Sequence, residues 1–338
     1  LLGFCYEFGI GVDQSFIKCE PHYLTAARQN QALAMARLSF LRRYGRPRVR
    51  MNRAESEEWQ LKVDKLAESA PLPCNATSGA ADPLAWLWWA AGEMHDMSAQ
   101  YALGTCFHDG VGVVRSPEEA VKWYSKSAAQ GSPRGEGIMG YCYGEGFGIE
   151  KNPTLALKYY VSAASKGETV AMYNVGYCYE EGIGVERDLT QAFVWYKKAA
   201  EVGNALAANS LGYFYEEGMG MDEKDVIEAV RWYRVAAEQG NPWAEHNIAY
   251  MYSTGSGVTK DDVMAFTWYM RAAEQGHAGA QNKLGHCYQN GTGCKLDLEL
   301  AVYWYRKAAE QRYPQACVSL AWCLDNGAGC RRDPAEAL

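Results

Sequence analysis

The sequence predicts an all-α solenoid of about nine helix hairpins, and three observations predict it. The first is a recurring phrase. YNVGYCYEEGIGVERDLTQAFVWYKKAAEVGN, residues 173–204, returns 36 residues on as NSLGYFYEEGMGMDEKDVIEAVRWYRVAAEQGN, with one residue inserted. The small residue of its Leu-Gly pair falls at Gly3, Ser39, Gly104, Gly140, Gly176, Gly212, Ala249, Gly285 and Ala321, at intervals of 36, 65, 36, 36, 36, 37, 36 and 36. A period in this range with helical patterning inside it marks stacked helix pairs. The second is apolar spacing: Ala171, Val175 and Tyr179 share one helix face, and Ala192, Trp195, Tyr196, Ala199 and Ala200 mark a second helix. The third is punctuation by glycine, proline and capping residues at the same place in each period.

Each element follows from local chemistry. Gly176 leaves room for a neighbouring helix; Gly182 ends the first helix where a positive φ is wanted, and Gly184 supports the tight turn. Asp188 with Gln191 three residues on reads as a capping box for the second helix. Ser116-Pro117 with Glu119, and Asp333-Pro334 with Glu336, repeat that start with Pro at the first helical position. Gly203 stops the second helix, as do Gly131, Gly167, Gly240 and Gly276 in their units. Each amphipathic pair cannot bury its apolar face alone, so the repeated phrase is a repeated interface. The units run 1–30, 31–97, 98–131, 132–167, 168–203, 204–240, 241–276, 277–312 and 313–338, the last incomplete.

Unit two carries the surplus of the 65-residue interval. QALAMARLSFLRR (31–43) fits its first helix and LAWLWWAAGEMHD (84–96) its second, with Trp88-Trp89 at the Trp-Tyr place. An insertion over about 45–82 lies between them, with RAESEEWQLKVDKLAES as a further helix and a Pro-rich loop after it. Arg42, Arg43, Arg46, Arg48, Arg50 and Arg53 offer a grip for a phosphate or an acidic segment. The alternative is a solvated loop partly neutralised by Glu55, Glu57 and Glu58.

The pattern A-x3-L-G-x2-Y-x2-G-x-G-V followed by A-x2-W-Y-x2-A-A-x-x-G resembles the Sel-like repeat family, relatives of the tetratricopeptide repeats. Units three to eight match over about 210 residues; unit one is looser, with His22-Tyr23 for Trp-Tyr, and unit nine keeps Gly327 and Gly329. The resemblance implies a right-handed α/α superhelix and a role in holding other proteins, and it implies no reaction.

Eleven cysteines are present, and Cys5, Cys106, Cys142, Cys178, Cys287 and Cys323 occupy one slot, two residues past the marker. Packed helices stand about 10 Å apart, beyond the ~7 Å Cα limit of a disulfide, so these read as small buried hydrophobes in a reducing compartment. Some bacterial relatives pair cysteines between the helices of a unit, but those slots hold Ala here, as at Ala199 and Ala207. Cys287 and Cys294, and Cys323 and Cys330, share a seven-residue spacing, which leaves a late-unit bridge or metal pair open beside lone thiols. The expected location is cytoplasmic; two sequons, at Asn75 and Asn290, keep the endoplasmic reticulum lumen as the alternative. Leu at position 1 and ends inside a repeat read as a segment of a longer chain.

Several classes are argued against. A net charge of −7 weighs against general nucleic-acid binding, and no apolar run reaches the ~18 residues of a membrane span. GYCYGEGFG (140–148) sits at a helix C-terminus without a preceding strand, so it is no phosphate loop. His95, Asp96, His108 and Asp109 are better helix-end polar residues than a metal site. No catalytic constellation, metal or cofactor motif occurs, so the expectation is a non-enzyme.

The expected function is a protein-interaction scaffold. The family resemblance implies that first helices line a concave face, where the residue after the marker projects. Those residues are Phe4, Phe40, Thr105, Tyr141, Tyr177, Tyr213, Tyr250, His286 and Trp322. Rigid aromatics with polar tips suit binding hot spots. A second column, three residues before the marker, includes Tyr173, Asn209, His246 and Asn282, able to bond a peptide backbone. Glu180 and Glu216, four past the marker, add negative charge. Together they fit an extended or helical segment of a partner protein carrying Lys or Arg. The alternative is a regulatory or oligomerisation arm of a larger protein, as in the kinase-associated, chitin-synthase-activator and ER-degradation adaptors of the family.

Overall fold

Why a 36-residue phrase folds as it does is clearest at Gly176. In a computed structural model of the chain, which describes residues 2–9, 12, 13, 15–29, 31–44, 52–69, 84–333 and 335, this glycine lies under the ring of Tyr196 from the second helix of the same repeat. A Cβ there would stand 2.7 Å from the ring. The same seat recurs for Tyr124 on Gly104, Tyr160 on Gly140, Tyr233 on Gly212 and Tyr305 on Gly285. Each of these tyrosines is buried. The Leu-Gly marker is thus the socket that closes the hairpin, and its small residue sets how near the two helices come.

The described residues form eighteen helices and no strand, an α/α solenoid of helix hairpins. In order they are α1 (Leu2–Phe8), α2 (Phe16–Ala27), α3 (Ala32–Tyr44), α4 (Arg53–Ser69), α5 (Ala85–Gly92) and α6 (Met97–Asp109). Then come α7 (Pro117–Ala129), α8 (Pro133–Glu145), α9 (Pro153–Ser165), α10 (Thr169–Glu181), α11 (Leu189–Glu201) and α12 (Ala205–Glu217). The last are α13 (Val226–Glu238), α14 (Pro242–Thr254), α15 (Asp262–Glu274), α16 (Ala278–Asn290), α17 (Leu298–Glu310) and α18 (Pro314–Asn326).

Caps fix the boundaries. Asp188 accepts the Gln191 N–H at 2.9 Å and starts α11; Ser116 does the same for Glu119 at 3.3 Å. First helices end on a left-handed glycine: Gly182, at φ 71°, donates its N–H to the Cys178 carbonyl. Asp333 accepts from Ala335 at 3.1 Å, while Pro334 and Glu336 lie outside the described residues.

A polar latch ties four of the repeats to the one before. Gln130 donates to the His95 carbonyl and to Gln100, both at 2.8 Å. Lys166 repeats this on Gly131 and Glu136, Gln275 on Gly240 and Glu245, and Gln311 on Gly276 and Gln281. The offsets, 35 and 30 residues, are the same in every case.

The chain divides into two compact units: Leu1–Met51 with Glu55–Ala207 and Met219–Met221, and Asn52–Ala54 with Ala208–Gly218 and Asp222–Leu338. In the first unit α1, α2, α3, α5 and α6 share one core, with Phe4, Tyr23, Leu38, Leu87 and Leu103 buried in it. Inside it, Arg37 of α3 pairs with Glu7 of α1 at 2.5 Å and reaches Asp109 at 3.5 Å. In the second unit Ala301, Val302, Tyr305 and Cys323 form a core between α17 and α18.

Unit two of the repeat series departs from the regular hairpin. Trp89 is 57% exposed, and Trp88 wedges against Phe107 and Trp123 at 5.8 Å between ring centroids. The residue facing the marker Ser39 is instead Ser56 of α4, whose hydroxyl donates to the Ser39 carbonyl at 2.8 Å. Two small residues let α4 approach α3 where regular units seat a tyrosine on a glycine.

Candidate docking face

The residue after the marker stands outward on successive first helices. Tyr141 of α8 and Tyr177 of α10, in the first unit, are 37% and 44% exposed. In the second unit Tyr213 of α12, Tyr250 of α14 and Trp322 of α18 are 46%, 42% and 50% exposed. His286 of α16 is half-buried, its Nδ1 at 2.8 Å from the Tyr305 hydroxyl. The row does not extend to the start of the chain: Phe4 is in the core, Thr105 is buried, and nothing is described of the Phe40 side chain. Tyr141 is braced by His108, which stacks on it at 6.0 Å and on Phe147 at 4.2 Å.

The column three residues earlier turns inward. Tyr173 packs on the buried Tyr196 with ring centroids 5.5 Å apart, and His246 packs on Tyr269 at 5.6 Å. Asn209 accepts a hydrogen bond from Asn247 at 3.2 Å. Asn282 is 4% exposed, so the expectation that it bonds a peptide backbone is corrected: α16 carries it into the packing of the second unit. Burial also lowers the pKa of His246, so it is neutral at pH 7.

Glu180 and Glu216 have a role that the repeat pattern did not reveal. Each accepts the hydroxyl of a buried tyrosine, Tyr196 at 2.5 Å and Tyr233 at 2.7 Å. Tyr305 donates likewise to Gln289 at 2.6 Å, and Tyr23 to Glu7 at 2.6 Å. Burial, then the bond to its glutamate, raises the pKa of Tyr196 far above the ordinary phenol value, as it does for Tyr233. In these four units the fourth residue past the marker is therefore a hydrogen-bond acceptor for the hairpin's own tyrosine. The exposed carboxylates lie one residue further, at Glu145, Glu181 and Glu217. Their i+4 spacing from the outward tyrosines was the signal available in the sequence.

The remaining candidates separate. Arg42 is ion-paired with Glu20 and, at 2.8 Å, with Glu55, which occupies it inside the fold. Arg53 is exposed at the start of α4. Arg46, Arg48 and Arg50, the Arg43 side chain and the Asn75 sequon lie outside the described residues. Asp96 caps α6 through the Ala99 N–H, and Asp109 pairs with Arg37, so these do not gather with His95 and His108 into a metal site. Among the described residues no group of His, Cys, Asp and Glu is arranged to hold a metal. The ten cysteines among them are free thiols. The seven-residue pairs form no bridge: Cys294 and Cys330 donate to the backbone carbonyls of Cys287 and Cys323, at 3.5 and 3.6 Å. Burial pushes the Cys142 thiol up to about 12, so this slot behaves as a hydrophobe.

A hairpin closed by tyrosine on glycine, repeated at 36 residues, defines a Sel1-like solenoid. The Sel1 repeat model matches residues 1–31, 98–132, 137–168, 169–204, 205–241, 244–277, 278–313 and 314–338, and the chain belongs to this family. It passes over the irregular unit two. Among solved structures, a Sel1 repeat protein from Oxalobacter formigenes is 33% identical, with a TM-score of 0.64, over 70% of this chain and 93% of that one. The protein c5321, a protective antigen of uropathogenic Escherichia coli strains with an SLR fold, is 30% identical, with a TM-score of 0.51, over 99% of this chain and 73% of that one. No curated protein matches. Proteins of the Sel1 repeat family are generally protein-interaction scaffolds, and the fold is typically non-enzymatic. No helix among the described residues is long and apolar enough to cross a membrane.

Proposed function

We propose that the chain is an interaction scaffold whose outward aromatic row docks a segment of a partner protein. One observation carries the reading. Tyrosines at one slot of the repeat stay 37–46% exposed, while the second-helix tyrosines seated on the marker glycines, Tyr124, Tyr160, Tyr196, Tyr233 and Tyr305, are buried. Packing between first helices would accept Leu or Ile at that slot, whereas a flat ring with a hydroxyl tip is what interface hot spots use. Rows of this kind occur in both compact units, and each unit presents its own.

Peptides selected from a display library against the whole chain test the reading. Tyr177→Ala in the first unit, and Tyr213→Ala with Tyr250→Ala in the second, should each weaken the selected peptides by about tenfold or more. Far-ultraviolet circular dichroism should stay helical, because these side chains are not in the core. Unchanged affinity for every selected peptide in both variants would contradict the proposal.

A further inference from the structure

We infer that each unit's docking row selects an extended basic segment, its charge read by Glu145 and Glu181 in the first unit and by Glu217 in the second. The inference rests on the docking proposal and adds the chemistry of the partner. Each glutamate is exposed and stands four residues after an outward tyrosine: Tyr141, Tyr177 and Tyr213. Residues at that spacing lie one turn apart on one helix face. Among the described residues none of the three glutamates is in an ion pair. In this they differ from Glu180 and Glu216, which hold internal tyrosine hydroxyls.

Charge is sorted between the two helices of a hairpin. Helices α10 and α12 contain no Lys or Arg. The only one in α8, Arg134, is turned to the Glu7 carbonyl at 3.1 Å and to the Phe16 ring. In these hairpins the second helices carry exposed cations, Lys126 3.8 Å over Trp123 and Lys198 4.5 Å over Trp195, whereas further along the chain the first helix α16 carries the exposed Lys283. A first-helix face bearing tyrosine and an open carboxylate therefore complements a guanidinium or ammonium. Its stem would lie along the ring while its charge meets the glutamate.

Spacing gives the form of the segment. In the first unit α8 and α10 are neighbours, and packed helices stand 8–10 Å apart. A chain in polyproline II conformation rises ~3.1 Å per residue, so every third residue meets the next tyrosine–glutamate pair. The row is one side chain wide because the column beside it, at Tyr173, is folded onto Tyr196. An extended strand presents side chains one at a time in this way.

Fluorescence anisotropy with two labelled peptides, four repeats of Arg-Pro-Thr and four of Glu-Pro-Thr, tests the inference on the whole chain. The arginine peptide should bind at least tenfold more tightly than the glutamate peptide. The triple variant Glu145→Gln, Glu181→Gln, Glu217→Gln should weaken the arginine peptide at least tenfold. A control triple on exposed second-helix positions, Glu201→Gln, Glu238→Gln, Glu274→Gln, should change it less than twofold. The inference is overturned if the arginine peptide fails to bind, if the glutamate peptide binds equally, or if both triples act alike. Loss on Tyr177→Ala with none on the first triple would leave the docking row standing and remove its charge selectivity. Loss on the first triple with none on Tyr177→Ala or Tyr213→Ala would remove the aromatic row itself.

Discussion

Two tyrosines of one repeat, Tyr177 and Tyr196, have opposite fates, and the difference comes from their helices. Tyr196 projects from α11 onto Gly176 and ends on Glu180, while Tyr177, the next residue after that glycine, points away from the hairpin. Gly176→Ala should cost about 1–3 kcal/mol by overpacking the ring, and Tyr196→Phe about 1–2 kcal/mol by removing the bond to a carboxylate. Urea unfolding of the two variants measures both; no change in midpoint for Gly176→Ala would show that the seat is loose. The marker of the seventh unit is Ala249, which carries a methyl, and both it and Tyr269 of the following helix are buried. The outward row was legible in the sequence because one slot repeats one chemistry. The inward role of Glu180 and Glu216 was not read, because a glutamate beside tyrosines suggests a docking charge. Its constant offset of 16 or 17 residues to the hairpin tyrosine, shared by Glu7 and Gln289, is a hydrogen-bond register that only becomes plain once the two helices face each other.

At the scale of the helix, caps and latches decide where each element ends and how it meets the next. Capping residues were readable from spacing alone, since a cap is local chemistry; the latches were not, since they join groups 30 and 35 residues apart. The same limit explains unit two, where Trp88-Trp89 invited the hairpin assignment but Ser56 of α4 faces Ser39. One cap is sensitive to acid. His277 begins α16, its Nδ1 accepting the Ala280 N–H at 3.0 Å. Burial, then the adjacent His246, pushes its pKa down to about 4 from the ordinary 6.5. Between these values the unfolded chain binds more protons than the folded one, so stability is complete above about 6.5 and declines as pH falls toward 4. The decline should total about 3 kcal/mol, an order-of-magnitude figure. His277→Asn, with the side chain that caps α14 at Asn241, should remove most of that slope in urea midpoints measured from pH 7 to 4.5. A variant that loses stability with acid as steeply as the parent would contradict this role for His277.

Across the whole molecule, the repeat converts one local rule into many copies: a small residue as the seat inside, an aromatic outside and, after Tyr141, Tyr177 and Tyr213, an acidic residue a turn further on. In a solenoid each repeat contacts its neighbours, so stability is distributed over similar interfaces, and surface chemistry at one slot is multiplied into a row. Membership of the Sel1 repeat family makes a scaffold the general expectation; the particular surface used is the claim that stands or falls by experiment. Tyrosine nitration read by mass spectrometry, with and without a peptide selected against the chain, tests it most directly. Without peptide, Tyr141, Tyr177, Tyr213, Tyr250 and the second-helix Tyr303, which is 48% exposed, should react, while Tyr124, Tyr196, Tyr233 and Tyr305 stay protected. With peptide, the first-helix tyrosines of at least one unit should lose reactivity and Tyr303 should keep it. Protection of Tyr303, with the first-helix row as reactive as before, would contradict the account.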